Sequence, residues 1–157
     1  MYIIAHRGNT SGPSEDENSI DQILSALAEG FDVEIDVRSA DGQLFLGHDE
    51  PQEMLPQWLI DKFNSSLWIH CKDIDALYLV STLYPNSNYF WHQSDDATMT
   101  SKGYFWTYPG KQLTEKSIFV LPEILSDEEF DSLIKQNPYG ICTDDPFKYE
   151  KQTSEFN

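Results

Sequence analysis

Two cysteines, Cys71 and Cys142, are all that the 157 residues hold. Two thiols cannot staple a small loop-rich fold, so a disulfide framework is excluded; both lie in apolar, strand-like runs and read as buried free thiols in a reducing compartment. Cys71 alone keeps a second reading, as a nucleophile or thiolate ligand. Basic residues are scarce too: 10 Lys and Arg stand against 27 Asp and Glu, a formal net charge of -17. Such a chain repels nucleic acid and anionic lipid unless a local cationic patch is built, so neither is an expected partner. Glycine and proline, eight of each, never cluster into a linker, and a single domain over residues 1–157 is expected. No apolar stretch approaches the ~20 residues that cross a bilayer. Met1 leads directly into an apolar run of strand length, with no charged n-region or cleavage site, so the expectation is a soluble, cytoplasmic protein. A small anionic substrate would need a metal or a few local Lys and Arg.

What is present is alternation. Short β-like runs and helix-like segments follow one another, the pattern of βα units around a parallel sheet. Tyr2 to Ala5 is the first strand. Ser19 caps a helix whose apolar stripe is Ile20, Ile23, Leu24 and Leu27 and which Gly30 ends. Phe31 to Arg38 is the second strand, and Asp41-Gly42 turns Gln43 to Gly47 back antiparallel beside it. Met54 to Phe63 reads as a helix with Pro56 in its first turn, leading to the strand Leu67 to Cys71. Asp73 opens the next helix, which ends before Pro85. Strand candidates follow at Asn88 to His92, Tyr104 to Tyr108, Ile118 to Leu121 and Tyr139 to Thr143. A helix over Asp127 to Lys135 carries the capping box Ser126/Glu129. Glu150 to Asn157 is polar and reads as a frayed or surface-bound tail. About seven core strands result, against eight strands and ~250 residues in a standard (β/α)8 barrel. The fold class is therefore α/β: a compact, reduced TIM-type barrel of about seven parallel strands plus a small hairpin.

The second strand carries the strongest physical clue. Phe31, Val33, Ile35 and Val37 alternate with Asp32, Glu34, Asp36 and Arg38, so one whole face is charged. In isolation that is an antiparallel strand with a solvated face. Between helices it is a parallel strand with no face free for water, and carboxylates turned into a barrel mouth need a cation. Glu34 and Asp36 project from the same face about 6–7 Å apart, within reach of one hard divalent ion.

His6 closes the first strand and His48 follows the hairpin, so both can approach the carboxyl ends of the strands, where barrel active sites lie, as proton-transfer partners. Arg7 can grip a phosphate through paired N–H donors, or form a surface salt bridge. In Ile69-His70-Cys71-Lys72, His70 and Lys72 share one face and offer a metal ligand and a phosphate cation. Trp91, Trp106 and Tyr108 can wall the pocket or fill the core. His92 has no settled role. Thr143-Asp144-Asp145-Pro146 reads chiefly as the turn that closes the barrel, with a polar contact to the site as the alternative.

Taken together, His6-Arg7-Gly8, Glu17-Asn18-Ser19, Glu34 and Asp36, Asp41-Gly42, His48-Asp49 and Thr143-Asp144-Asp145-Pro146 resemble, in kind and order, the glycerophosphodiester phosphodiesterase family of phosphatidylinositol-phospholipase-C-like barrels. The resemblance implies that Glu34 and Asp36 bind Mg²⁺ or Ca²⁺, that His6 and His48 are general base and general acid, and that Arg7 and Lys72 hold the phosphate of a small phosphodiester. Glu17 would support the site through Arg7 or the metal. Where the family has Glu-x-Lys on the third strand this chain has His70-Cys71-Lys72, giving two carboxylates and an imidazole and opening the site to Mn²⁺ or Zn²⁺. Two further readings are a phosphate or sugar-phosphate binding module that has lost its third carboxylate, and a lyase that closes a cyclic phosphate.

Overall fold

Residues 1–154 are described by the computed structural model. In chain order they form β1 (Tyr2–His6), α1 (Ile20–Ala28), β2 (Asp32–Ala40), β3 (Gln43–Leu46), β4 (Glu53–Met54), α2 (Gln57–Phe63), β5 (Leu67–Cys71) and α3 (Ile74–Leu83). There follow β6 (Asn88–Trp91), β7 (Ala97–Met99), β8 (Phe105–Thr107), β9 (Ser117–Val120), a 3₁₀ turn at Pro122–Ile124, α4 (Asp127–Ile134), β10 (Gly140–Thr143) and α5 (Pro146–Ser154). Seven strands run parallel in the order β6-β5-β2-β1-β10-β9-β8. They make a curled, reduced TIM-like barrel, as the alternation of elements predicts. β3 and β4 extend β2 as antiparallel strands, the hairpin that Asp41-Gly42 predicts. Among the described residues, no helix is long and apolar enough to cross a membrane.

Local chemistry explains the helix starts. The Ser19 hydroxyl accepts from the Gln22 N–H at 3.2 Å, and the Asp73 carboxylate accepts from the Ala76 N–H at 2.7 Å, each satisfying a donor that the first turn leaves free. Both halves of the Ser126/Glu129 capping box are made. Outside the sheet, Val33, Ile35, Leu67 and Ile69 pack under α1, α2 and α3 through Ile23, Leu59 and Val80. Phe119 and Ile141 pack against Phe130 of α4 and Tyr149 of α5. Inside, Ile4, Trp68, Phe90, Trp106, Ile118 and Cys142 fill the barrel, so Trp106 is core filling. Both cysteines are free and buried.

Among the described residues, no ladder closes the ring. β6 pairs only with β5, and the far edge of β8 is taken by the antiparallel β7. Side chains and a loop bridge the gap: Phe90 and Trp106 ring centroids lie 4.6 Å apart, and Ser101 exchanges hydrogen bonds with the Tyr89 backbone.

Three segments differ from the sequence expectation. The helix expected from Met54 begins at Gln57 with Pro56 at its N-cap, because residues 53 and 54 pair with β3 and the Leu55 N–H donates to the Leu44 carbonyl. β7 falls in a stretch for which the sequence reading names no element, and it pairs along the edge that β8 otherwise leaves bare. The tail from Glu150 continues α5 as far as Ser154 instead of fraying: Tyr149 and Thr153 are buried and Phe147 meets Phe31 edge-on at 4.9 Å. Residues 155–157 lie outside the described residues.

At the amino-terminal end of the barrel, β10 passes so close to β1 that a Cβ on Gly140 would stand 2.7 Å from the Tyr2 carbonyl oxygen. Gly140→Ala is expected to destabilise the fold by about 1–3 kcal/mol through overpacking, read as a lower urea midpoint at unchanged slope.

Candidate active site

β2 delivers two carboxylates to the barrel interior. Lying in parallel between β1 and β5, it has no solvent face, and Glu34 and Asp36 are each 1% exposed. The solvated-strand reading falls on that burial. His70, beside Asp36 on β5, sets its Nδ1 3.1 Å from Asp36 Oδ1 and 3.5 Å from Glu34 Oε1. Lys72 Nζ stands 3.4 Å from Asp36 Oδ1, and Arg7 Nε 2.8 Å from Asp36 Oδ2.

These approaches are charge contacts without hydrogen-bond alignment: among the described residues, neither Asp36 oxygen has a hydrogen-bond partner, nor has Arg7 Nε. A buried carboxylate left this way is uncommon, and it suits a cation. Ligand atoms of Glu34, Asp36 and His70 all lie within 4.8 Å of one another, a donor set that fits one divalent ion. Burial works against the charge on Asp36, but His70, then Lys72 and Arg7, outweigh it and hold the group well below the usual carboxylate range. Burial likewise opposes a charge on His70, yet Asp36 and Glu34 outweigh it and raise the imidazole pKa.

The His-Arg-Gly turn sits over this pair. Arg7 and Gly8 take left-handed φ of 51° and 75°, and a Cβ on Gly8 would lie 3.0 Å from the backbone of Gln22 and Ile23. Glycine is thus required where the turn abuts α1. The Arg7 N–H donates to Glu34 Oε2 at 3.2 Å and its Nη1 to Glu17 Oε1 at 2.5 Å. Arg7 is therefore fastened to three carboxylates, and Glu17 reaches the site through it.

His6 Nδ1 lies 2.8 Å from Asp144 Oδ1, and Nε2 lies 4.0 Å from Glu34 Oε2. Burial opposes charge on His6, but the Asp144 hydrogen bond and the nearby Glu34 raise its pKa. Asp144 receives a second bond from Asn9 Nδ2 at 2.8 Å and is seated by Glu123, which accepts from its N–H at 2.9 Å and from the Thr143 hydroxyl. Thr143-Asp144 fills both roles expected of it: it ends the strand that lies beside β1, and Asp144 makes the polar contact to the site by orienting the His6 imidazole.

Asn18 was missed as a site residue, although its motif was visible. Its side chain donates to the Asp36 carbonyl at 2.9 Å and accepts from the Asp36 N–H at 3.0 Å, clamping β2 where the carboxylate leaves it.

His48 stands apart from the cluster. The Gly47 N–H donates to the Asp36 carbonyl at 3.1 Å, so the loop is tied to β2, but the His48 side chain is 40% exposed and its ring pairs with Asp49 at 2.8 Å. Among the described residues, no hydrogen bond or ion pair joins its ring to His6, Glu34, Asp36 or His70. Cys71 has its thiol pKa pushed up to about 12 by burial and the charge of Asp73, which removes it as a nucleophile. Tyr108 packs on His92, ring centroids 4.3 Å apart.

No protein-family model matches the chain. No curated protein matches it in sequence either. The likeness to solved structures is extensive. A candidate glycerophosphodiester phosphodiesterase from Galdieria sulphuraria superposes with a TM-score of 0.61 at 13% identity, covering 98% of this chain and 97% of that one. An Oleispira antarctica phosphodiesterase in complex with its product sn-glycerol-3-phosphate gives 0.58 at 14% identity, covering 98% and 97%. The glycerophosphodiester phosphodiesterase of Thermotoga maritima gives 0.53 at 14% identity, covering 97% and 98%. At such identities the shared property is the fold: this chain has the barrel of glycerophosphodiester phosphodiesterases.

Since folding raises the pKa of His6 and His70, their charge stabilises the metal-free protein below the ordinary value of about 6.5, and that contribution is lost as pH rises through the raised values. The melting temperature in chelating buffer is expected to fall as pH rises above about 6.5. His70→Gln and Asp144→Asn should flatten that slope, which a melting series across pH checks directly.

Proposed function

We propose that the chain is a metal-dependent phosphoric diester hydrolase acting on a small glycerophosphodiester-like or sugar-linked phosphodiester, with residues 1–157 forming one barrel domain. The observation that carries this reading is the buried set Glu34, Asp36 and His70, whose ligand atoms lie within 4.8 Å of one another, beside an imidazole held by its own carboxylate. The product bound to the Oleispira antarctica phosphodiesterase, sn-glycerol-3-phosphate, supports the glycerol-linked substrate class. Two buried free thiols suit work in the cytoplasm, and the net charge of -17 suits neither nucleic acid nor a membrane surface as partner.

Glu34, Asp36 and His70 would hold the ion, Mg²⁺ or Ca²⁺ by the carboxylates, with the imidazole admitting Mn²⁺ or Zn²⁺. When bound, a divalent cation supplies neutralisation of phosphoryl charge. The chain's own part begins with His6. With Nδ1 engaged by Asp144, its Nε2 is the nitrogen turned inward, placed to take a proton from an attacking hydroxyl or water or to return one to the departing alkoxide. Lys72 lies on the same row and offers an ammonium to a phosphoryl oxygen. Arg7, already bound to Asp36 and Glu17, places the acid pair and turns its remaining N–H groups to the phosphate. His48, on the loop tied to Asp36, is the second proton carrier and must swing inward from Asp49 to act.

Purified protein with glycerophosphocholine or bis-p-nitrophenyl phosphate, across Mg²⁺, Ca²⁺, Mn²⁺ and Zn²⁺, is expected to release a phosphomonoester. His6→Ala should lower kcat by about 10²–10⁴-fold. Inactivity with every metal that His70→Glu converts into turnover would mark a binding module instead, and a cyclic ester in the phosphorus NMR spectrum would mark a lyase.

A further inference from the structure

Beyond the acid cluster, one buried polar group at this end of the barrel has no role. His92 is 8% exposed, and neither ring nitrogen has a hydrogen-bond partner among the described residues. A buried histidine kept for packing ordinarily finds a partner for at least one nitrogen, because leaving both dry costs free energy. Its placement explains what the bare nitrogens face. Phe90, two residues earlier, points into the barrel interior, so His92 continues that inner face one row higher. Trp91 is paired with Cys71, which sets His92 next to Lys72, just above the level of Asp36 and His70. The His92 ring lies 6.3 Å from that of His70, whose own Nε2 is likewise buried and unpartnered.

The surroundings also state the sign of the missing partner. The pairing of Trp91 with Cys71 sets the Lys72 ammonium beside the ring, and a neutral imidazole carries one N–H to donate. His92 is not among the donors grouped for a cation, which are Glu34, Asp36 and His70. An oxyanion suits both the charge and the free N–H.

We propose that His92 is a phosphate-binding residue, its ring N–H donating to a phosphoryl oxygen held beside Lys72 and above Glu34, Asp36 and His70. The packing of the ring on Tyr108 holds the donor in place. The proposal rests on the phosphodiesterase reading of this mouth and names an additional contact for its substrate, from the strand that borders the open seam of the barrel.

Titration calorimetry with inorganic phosphate and sn-glycerol 3-phosphate, in Mg²⁺ buffer, tests it on the wild type, His92→Phe and His92→Gln. Phenylalanine keeps the packing on Tyr108 and removes the donor; glutamine keeps an N–H. His92→Phe should weaken both ligands by about 10–100-fold, the loss of one hydrogen bond to a charged group. His92→Gln should recover part of that affinity, and Mg²⁺ binding should stay within about twofold. His92→Ala replaces the phenylalanine variant if circular dichroism finds the latter unfolded. Unchanged phosphate affinity without the donor overturns the role of His92 alone. A parallel loss of Mg²⁺ affinity overturns it too, and moves His92 into the metal shell. Wild-type protein that takes up no phosphate overturns the phosphodiesterase reading beneath it.

Discussion

Two carboxylates out of water on one face of one strand are the constraint around which this protein is organised. A buried anion without compensation is costly, and the chain answers by bringing positive groups to Glu34 and Asp36 from the two neighbouring strands. Arg7 comes from the turn after β1, His70 and Lys72 from β5. The positive φ of Arg7, the glycine after it and the acceptor Glu17 all serve to hold one guanidinium over the pair. The answer is incomplete, since the Asp36 oxygens still lack hydrogen bonds. That shortfall, among the described residues, is the feature on which the proposed metal site rests.

The second organising feature is the closeness of β1 and β10, which are neighbours although they lie at opposite ends of the chain. Through it His6 acquires an orienting carboxylate 138 residues away, and Glu123, from the 3₁₀ turn before α4, fixes that carboxylate in turn. Each link is short and at least partly buried. The imidazole is therefore placed by backbone topology and by a chain of polar contacts, not by its own loop, which is how an acid/base group keeps one orientation.

Much of this was legible in the sequence because period and spacing are local. The strict alternation in β2, the caps Ser19, Asp73 and Ser126, and the Asp41-Gly42 hairpin each act within a few residues, and the structure contains them. The grouping of Glu34, Asp36 and His70 was legible for the same reason, since all three sit on inner faces of strands. What escaped was set by partners distant in sequence. Asp144 looked chiefly like turn chemistry until β10 was set against β1. α5 looked like a polar tail because its buried positions, Tyr149 and Thr153, are only two among charged neighbours. β4 and β7 exist only because other strands offered edges. His48 was placed at the mouth from the hairpin geometry, but its neighbour Asp49 holds the ring at the surface, a competition that spacing does not reveal.

The scarcity of basic side chains has a consequence at the scale of encounter. Nearly all of the cationic charge at the mouth is committed to Asp36 and Glu17, while the exterior keeps most of the excess of 27 acids over 10 bases. If the proposed function holds, the long-range field draws divalent ions inward and slows the approach of an anionic diester, a repulsion that dissolved salt shortens to about 10 Å at 0.1 M. Collision with substrate should grow easier in saltier water, the reverse of an electrostatically steered enzyme. Uptake of metal should grow harder under the same conditions, so the two encounters pull the favoured ionic strength in opposite directions.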